Sequence, residues 1–236
     1  DVMARRSWSK LRSAQAGWYA ENDRHPEAVH AFQQSLRLDP DNAETVFRFA
    51  ERLTRWLRFD EAEQLIADYA HIDPRHPQLP VFRRGLTQLR DLNQRRLAAE
   101  AAWDRQPSGN LALQLAQLYA LLAQTPQMQE AVQLLLEMPQ LAEDFYPFLR
   151  DFLREQQDLP LLELTLTRWA GRFPHRAEPL LDLAALALSR QDFPLALRRL
   201  ETALQREPRL RPALPRDPRF RDLQEWPPFL QLLQTP

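Results

Sequence analysis

The segment Ala28-Val29-His30-Ala31-Phe32, followed by Leu38-Asp39-Pro40, decides the fold. It places a small residue and a large apolar one four positions apart on one helical face, then closes with a residue that cannot continue a helix. Working outward, the closing residue recurs: Pro40, Pro74, Pro107, Pro139, Pro174 and Pro208 are separated by 34, 33, 32, 35 and 34 residues. Ala28, Ala62 and Ala196 each precede their proline by twelve residues and follow Ala16, Ala50 and Ala184 by twelve. The large partner repeats as Ala28/Phe32, Ala62/Ile66 and Ala196/Leu200, and Tyr19, Leu53 or Ala187 stands three residues after the earlier alanine. This spacing predicts two antiparallel helices per unit. Small residues let the backbones approach, the large residue fills the space beside them, and the proline ends the pair.

The ladder divides the chain into repeats of about 9–42, 43–76, 77–109, 110–142, 143–176 and 177–210, with a cap over 211–236. Repeats one, two and six keep the ruler. The third has Arg95 and Ala99 where the small-residue step belongs, which predicts a second helix packed differently. The fourth places Gln124-Thr125-Pro126 in a turn lengthened by three residues, and in the fifth Leu162, Leu166 and Trp169 replace the small-residue step. A repeat cannot bury its apolar face alone, so the last one needs a cover; Phe220, Leu223, Phe229 and Leu230 are its expected apolar side. The competing reading of that segment is a peptide ligand for another protein. Asp41 and Asp60 read as helix caps.

These distances resemble the tetratricopeptide repeat, a 34-residue unit with a small residue, an Ala-x-x-x-aromatic step and a closing proline. The resemblance covers about residues 7 to 210. It implies an all-α, right-handed superhelix of about six helical hairpins, in which the first helix of each pair lines a concave groove that takes a protein or peptide. The alternative fold is an irregular helical bundle. The implied groove residues are Phe47, Glu51, Thr54 and Arg55 in repeat two and Gly85 and Gln88 in repeat three. Repeats four and five add Gln117 and Leu121, then Asp144, Asp151 and Arg154. Arg48, Arg52, Arg55 and Arg58 form one basic stripe suited to carboxylates or phosphates, unless nearby acids such as Glu51 pair with them. Co-chaperone members grip a carboxylate terminus with lysine and asparagine; Ser13, Gly17 and Arg48 stand at those places here, so that clamp is not reproduced.

A second resemblance rests on residues 7–19, from Ser7-Trp8-Ser9-Lys10 to Gly17-Trp18-Tyr19, together with Glu44-Thr45-Val46-Phe47-Arg48-Phe49. These are similar to the tail of bacterial membrane proteins of the O-mannosyltransferase kind, over about the first 90 residues. This likeness implies a bacterial accessory region tethered through an upstream membrane segment, with any transferase residues outside the chain.

Composition narrows the alternatives. The chain has 236 residues with 44% hydrophobic content, and its four glycines argue against a many-stranded β fold, whose tight turns recruit glycine. Arginine outnumbers lysine thirty to one, yet 31 bases balance 32 acids, so bulk attraction to nucleic acid or membrane is not indicated. An RNA-binding reading rests on Arg206, Arg209, Arg211, Arg216, Arg219 and Arg221, against which stand the near-neutral charge and the lack of a repeated polar pair. No cysteine is available for a disulfide, a thiolate metal site or a nucleophile. Gly17, Gly85, Gly109 and Gly171 are isolated, and no HExxH, GxSxG or EF-hand loop occurs. His71, Asp73 and His76 make the nearest approach to a metal cluster, with His25 and His30 the other close pair; both read as structural because they do not share a helical face. The expectation is a non-catalytic binding protein with no cofactor and no membrane insertion. Trp8, Trp18, Trp56, Trp103, Trp169 and Trp226 read as inter-helix core, with Trp56 the least certain.

Overall fold

The computed structural model describes residues 1–234; Thr235 and Pro236, the last two residues of the expected cap, lie outside the described residues. The fold is all-α, twelve α-helices and three short 3-10 segments among the described residues, and it falls into two compact units, Asp1–Met128 and Gln129–Pro236.

The first unit holds α1 (Val2–Glu21), α2 (His25–Leu38), α3 (Ala43–Arg55), α4 (Phe59–Ile72), α5 (Gln78–Arg105) and α6 (Gly109–Leu121). Successive helices pack on one another in chain order, α1 on α2 through to α5 on α6. Ala16, Ala28, Ala50 and Ala62, the alanines of the ruler, are fully buried, and Phe32 stacks on Phe49 at 4.8 Å between the hairpins. Ser9, Ser35 and Thr45 add a buried hydroxyl chain: Ser9 Oγ donates to Ser35 O (3.0 Å), Ser35 Oγ donates to Ser9 O (2.8 Å), and Ser35 and Thr45 hydroxyls meet at 3.3 Å. These short side chains let three helices approach while leaving few polar atoms unpaired.

The turns explain why the ruler is about 34 residues. Asp23, Leu57, Ala123, Gln157 and Gln191 all have φ between 55° and 61°. Each ends a first helix in the same way. In the second repeat Arg58 N donates to Leu53 O (2.8 Å) and Leu57 N to Thr54 O (3.0 Å), and equivalent pairs form at Arg24/Tyr19, Gln124/Tyr119, Asp158/Leu153 and Asp192/Ala187. This is a Schellman turn, which satisfies the orphan carbonyls of a helix end. The second helices end at prolines. Asp39, Asp73, Gln106, Phe173 and Glu207, the residues before them, have extended ψ of 73° to 89°, as the proline ring demands.

Three expectations need correction. Repeat 77–109 is not a hairpin: α5 runs unbroken for 28 residues through Asp91, where the 34-residue register places a left-handed turn. Its central stretch has no proline, and Arg96 bridges Asn93 and Glu100 along the helix, so nothing interrupts the hydrogen-bond ladder. In the fourth repeat the turn is not lengthened; Leu122 to Gln124 connect α6 and α7 (Thr125–Glu137), and Pro126 sits in the first turn of α7, where its missing N–H costs nothing. Asp41 and Asp60 are not caps. Asn42 caps α3 by accepting from Thr45 N (3.1 Å), and Asp60 lies inside the first turn of α4 paired to Arg90.

The second unit runs from Gln129 through the rest of α7, then α8 (Phe145–Glu155), α9 (Leu159–Arg172), α10 (Glu178–Ser189) and α11 (Phe193–Arg206). Leu162, Leu166 and Trp169 are buried in α9, so the large residues of the fifth repeat fill the space that alanines leave elsewhere. The cap consists of 3-10 turns Pro208–Leu210, Leu214–Arg216 and Pro218–Leu223, then α12 (Pro227–Gln234). Phe220, Leu223 and Phe229 are fully buried as expected, with Leu214 beside them, while Leu230 faces solvent.

Candidate functional site

In the first unit the C-terminal turn of α3, the N-terminal half of α5 and the end of α6 enclose an open recess of about 330 Å³. Glu51, Thr54 and Arg55 line it from α3, Phe82, Gly85, Leu86 and Leu89 from α5, and Leu121, Leu122 and Ala123 from α6 and its turn. The four α5 residues follow i, i+3, i+4, i+7 spacing, so one face of that helix forms the floor. At its middle Gly85 leaves open space: a Cβ built there meets no atom within 4 Å. Leu121 stands at the rim with 60% of its surface exposed.

A long-range contact joins two of the segments that line the recess. Gln124 Nε2 donates to Arg55 O at 3.0 Å, satisfying the last carbonyl of α3 with a side chain 69 positions away. The long α5 makes this possible, because α6 folds back along it. Tyr119 OH donates to Glu100 Oε1 at 2.5 Å, and burial, reinforced by that carboxylate, pushes the Tyr119 phenol up to about 12. The rim is polar but neutralised: Arg55 donates to Glu51 at 2.7 Å, and Thr54 Oγ1 donates to Ala50 O at 2.8 Å.

Five of the expected groove residues, Glu51, Thr54, Arg55, Gly85 and Leu121, therefore meet at one place. The others do not. Phe47 is half-buried among Tyr69, His76 and Phe82, at ring distances of 5.8, 5.1 and 5.8 Å. Gln88 is exposed and off the floor of the recess, one residue before Leu89 on the helix. Gln117, one turn before Leu121, lies farther along α6. The arginine stripe is consumed by carboxylates: Arg48 with Glu44 (3.6 Å), Arg52 with Glu21 (3.3 Å), Arg55 with Glu51 and Arg58 with Glu61 (2.5 Å). Gly17 lies under Arg48: a Cβ there would stand 2.8 Å from Arg48 Nη2, the mobile end of a side chain that can give way.

Asp151 and Arg154 belong to a different device in the second unit. Asp182, 1% exposed, accepts from Arg154 Nη2 (2.6 Å) and Arg219 Nη1 (2.7 Å) on Oδ1, while Oδ2 faces Arg150 Nη1 at 3.5 Å. Arg150 also pairs with Asp151 (2.8 Å) and Glu178, and Arg219 with Asp217 (2.6 Å). The Arg150 guanidinium holds the Asp151 carboxyl below its ordinary range, and Arg219 does the same to Asp217. This network fastens the cap to α8 and α10, leaving these groups occupied with one another.

Trp169 is core, but Trp8 and Trp18 are exposed, and Trp56 is half-buried with the His25 ring tilted against it at 4.5 Å. Arg206 donates to Ala170 O (3.0 Å) and Arg176 O (3.1 Å), so it and Arg219 serve the fold and leave the basic stretch thinner than its count. His71 Nδ1 contacts Ala67 O (2.8 Å), while His76 packs on Phe47 and Tyr69. Among the described residues no three His, Cys, Asp or Glu side chains converge as metal ligands, and no helix is long and apolar enough to cross a membrane.

Phe82, Leu86, Leu89, Leu122 and Ala123 went unassigned in the sequence. The available signal was the apolar i, i+3, i+4, i+7 set on α5, joined to the absence of a proline or glycine near Asp91.

No family model matches the chain, and no curated protein matches it. Solved structures do. A crystal structure of the MamA protein is 11% identical, covering 86% of this chain and 93% of that one at a TM-score of 0.35. YrrB, described as a TPR protein with an unusual peptide-binding site, is 12% identical over 84% and 85% at 0.33. PilF of Pseudomonas aeruginosa is 14% identical over 94% and 98% at 0.34. Likeness at this level concerns the fold alone, an all-α succession of helices that the chain's own buried alanines, Schellman turns and proline-ended hairpins show directly.

Proposed function

We propose that the chain is a protein-interaction scaffold whose first unit takes an apolar side chain of a peptide or protein segment into the recess over Gly85. The observation that carries this is the open apolar floor itself: Phe82, Leu86 and Leu89 surround a glycine whose missing side chain nothing else fills. Recesses of a few hundred Å³ with an apolar floor and a polar rim suit an anchor residue, and buried anchors dominate such interfaces. The rim pair Glu51 and Arg55 would orient the segment by hydrogen bonds from both charge signs. Because the arginines of α3 are already paired, an acidic tail gains little from them.

The test is a selection of displayed random peptides on the intact chain, followed by affinity measurement on the Gly85→Leu variant. The expected winners share one large apolar residue, and Gly85→Leu weakens them by roughly tenfold or more, since an occupied pocket loses its anchor outright. Winners without such a residue, or equal binding to a folded Gly85→Leu chain, refute the site.

A further inference from the structure

The first helix turns its residues inside out. Its buried face is made of Ser9, Ser13, Ala16, Gly17 and Ala20, all small, whereas its large apolar residues face water: Trp8 is 57% exposed, Leu11 56% and Trp18 56%. Trp8, Leu11, Gln15 and Trp18 follow i, i+3, i+7, i+10 spacing, a single stripe about 15 Å long on the side away from α2. Packing within this chain does not account for that stripe, because the helix meets α2 and α3 through its other side.

The charges on α1 are equally one-sided. Arg5, Arg6, Lys10 and Arg12 stand against one carboxylate, Glu21, at the far end. Arg52 engages Glu21, and Arg6 faces Asp39 at 4.0 Å. Among the described residues Arg5, Lys10 and Arg12 have no carboxylate partner; Arg5 donates to the Arg37 carbonyl and Arg12 to Gln15 Oε1. The near-zero charge of the whole chain conceals this cluster.

We propose that α1 lies on an anionic lipid surface, with Trp8, Leu11 and Trp18 set into the headgroup boundary and Arg5, Lys10 and Arg12 over the anionic headgroups. A cationic helix with a tryptophan and leucine face is the form that settles in the plane of such an interface, and indole rings favour that depth. A second copy of the chain is a poorer occupant, because an isologous contact through this stripe brings like charges together on both flanks. Nothing here requires a spanning segment.

The experiment is co-sedimentation of the intact chain with vesicles of phosphatidylcholine alone and of phosphatidylcholine mixed with phosphatidylglycerol, with tryptophan emission recorded in parallel. Binding and a blue shift are expected with the anionic vesicles, falling as salt rises. Trp8→Ser with Trp18→Ser abolishes both, and Lys10→Gln with Arg12→Gln weakens binding about thirtyfold, near fivefold per lost cation. Trp8, Lys10 and Trp18 are exposed and Arg12 is half-buried with only a Gln15 contact within α1, so circular dichroism of the variants stays as in the parent. Equal binding to neutral vesicles, or unchanged binding of the tryptophan variant, overturns the proposal. So does self-association lost in Trp8→Ser with Trp18→Ser, which assigns the stripe to a second copy, or capture of an acidic amphipathic helix with no vesicle binding.

Discussion

Gly85 and Ala123 line the same recess, and each has the backbone conformation that suits the other. Gly85 sits in the interior of α5, where glycine costs about 1 kcal/mol relative to alanine. Its Cβ position is empty, so Gly85→Ala meets no clash and recovers that amount. Ala123 has φ of 56°, a left-handed state that disfavours L-residues by about 1–2 kcal/mol. Ala123→Gly relieves it but gives the unfolded chain about 0.5–1 kcal/mol of extra freedom, so the net gain is about 0–1.5 kcal/mol. Both exchanges stabilise, in opposite chemical directions, and the double exchange conserves composition.

The assay is amide hydrogen exchange at Leu86 and Leu89 for the first unit, since two units need not unfold together. Thermal midpoints should rise by about 2–4 °C per kcal/mol. Binding separates the two sites. The methyl of Gly85→Ala intrudes on the floor of the recess and weakens a selected peptide, whereas Ala123→Gly removes a methyl from its wall and does not. Asp23→Gly repeats the turn exchange within the same unit but outside the recess lining and serves as the control for stability alone. Destabilisation by either single exchange refutes the reasoning about backbone state. Stabilisation by Gly85→Ala with unchanged peptide affinity refutes the recess as the site.

Two further outcomes follow from the ion network of the second unit. Asp182→Ala leaves three guanidinium groups around an empty carboxylate site and costs about 2–3 kcal/mol, below the usual figure for breaking a buried pair because Arg154 and Arg219 are partly solvated. Exchange protection should be lost first across residues 208–234. In acid the sign is fixed by Asp151 and Asp217, whose carboxyls are held below the ordinary range by Arg150 and Arg219. Their stabilisation is complete above the ordinary carboxylate value of about 4 and is lost as pH falls through the lowered folded values. The urea midpoint of the second unit, followed by the Trp169 indole resonance, should drop below pH 4, and less steeply in Asp217→Asn.

The repeat was legible because its determinants are local. An alanine that must vanish between two helices and a proline that must end one act within a dozen residues, and Ala16, Ala28, Ala50, Ala62, Ala184 and Ala196 are all fully buried. The left-handed turn was not legible as a motif, because Asp23, Leu57, Ala123, Gln157 and Gln191 share no side-chain chemistry, only a register. Sparse glycine reflects helices whose turns tolerate other residues. For the same reason the third repeat misled: spacing from Pro74 to Pro107 preserves the period whether the intervening chain folds back at Asp91 or runs straight.

That one difference also decides the site. A hairpin between Pro74 and Pro107 would present α5 and α6 as successive groove helices, and Gln88 and Gln117 would join Glu51 in an open trough. The unbroken α5 instead sends α6 back along itself, so that Leu121 and Leu122 reach the end of α3 and Gln124 bonds the Arg55 carbonyl. A trough thereby becomes a recess bounded by three helices. Sequence spacing names residues on a helix face, but which faces converge depends on a contact 69 residues long, and no local pattern encodes that. The same limit applies to α1. Its tryptophans fit a helical period as well as any core residue does, and only the small residues packed behind them reveal that they point outward.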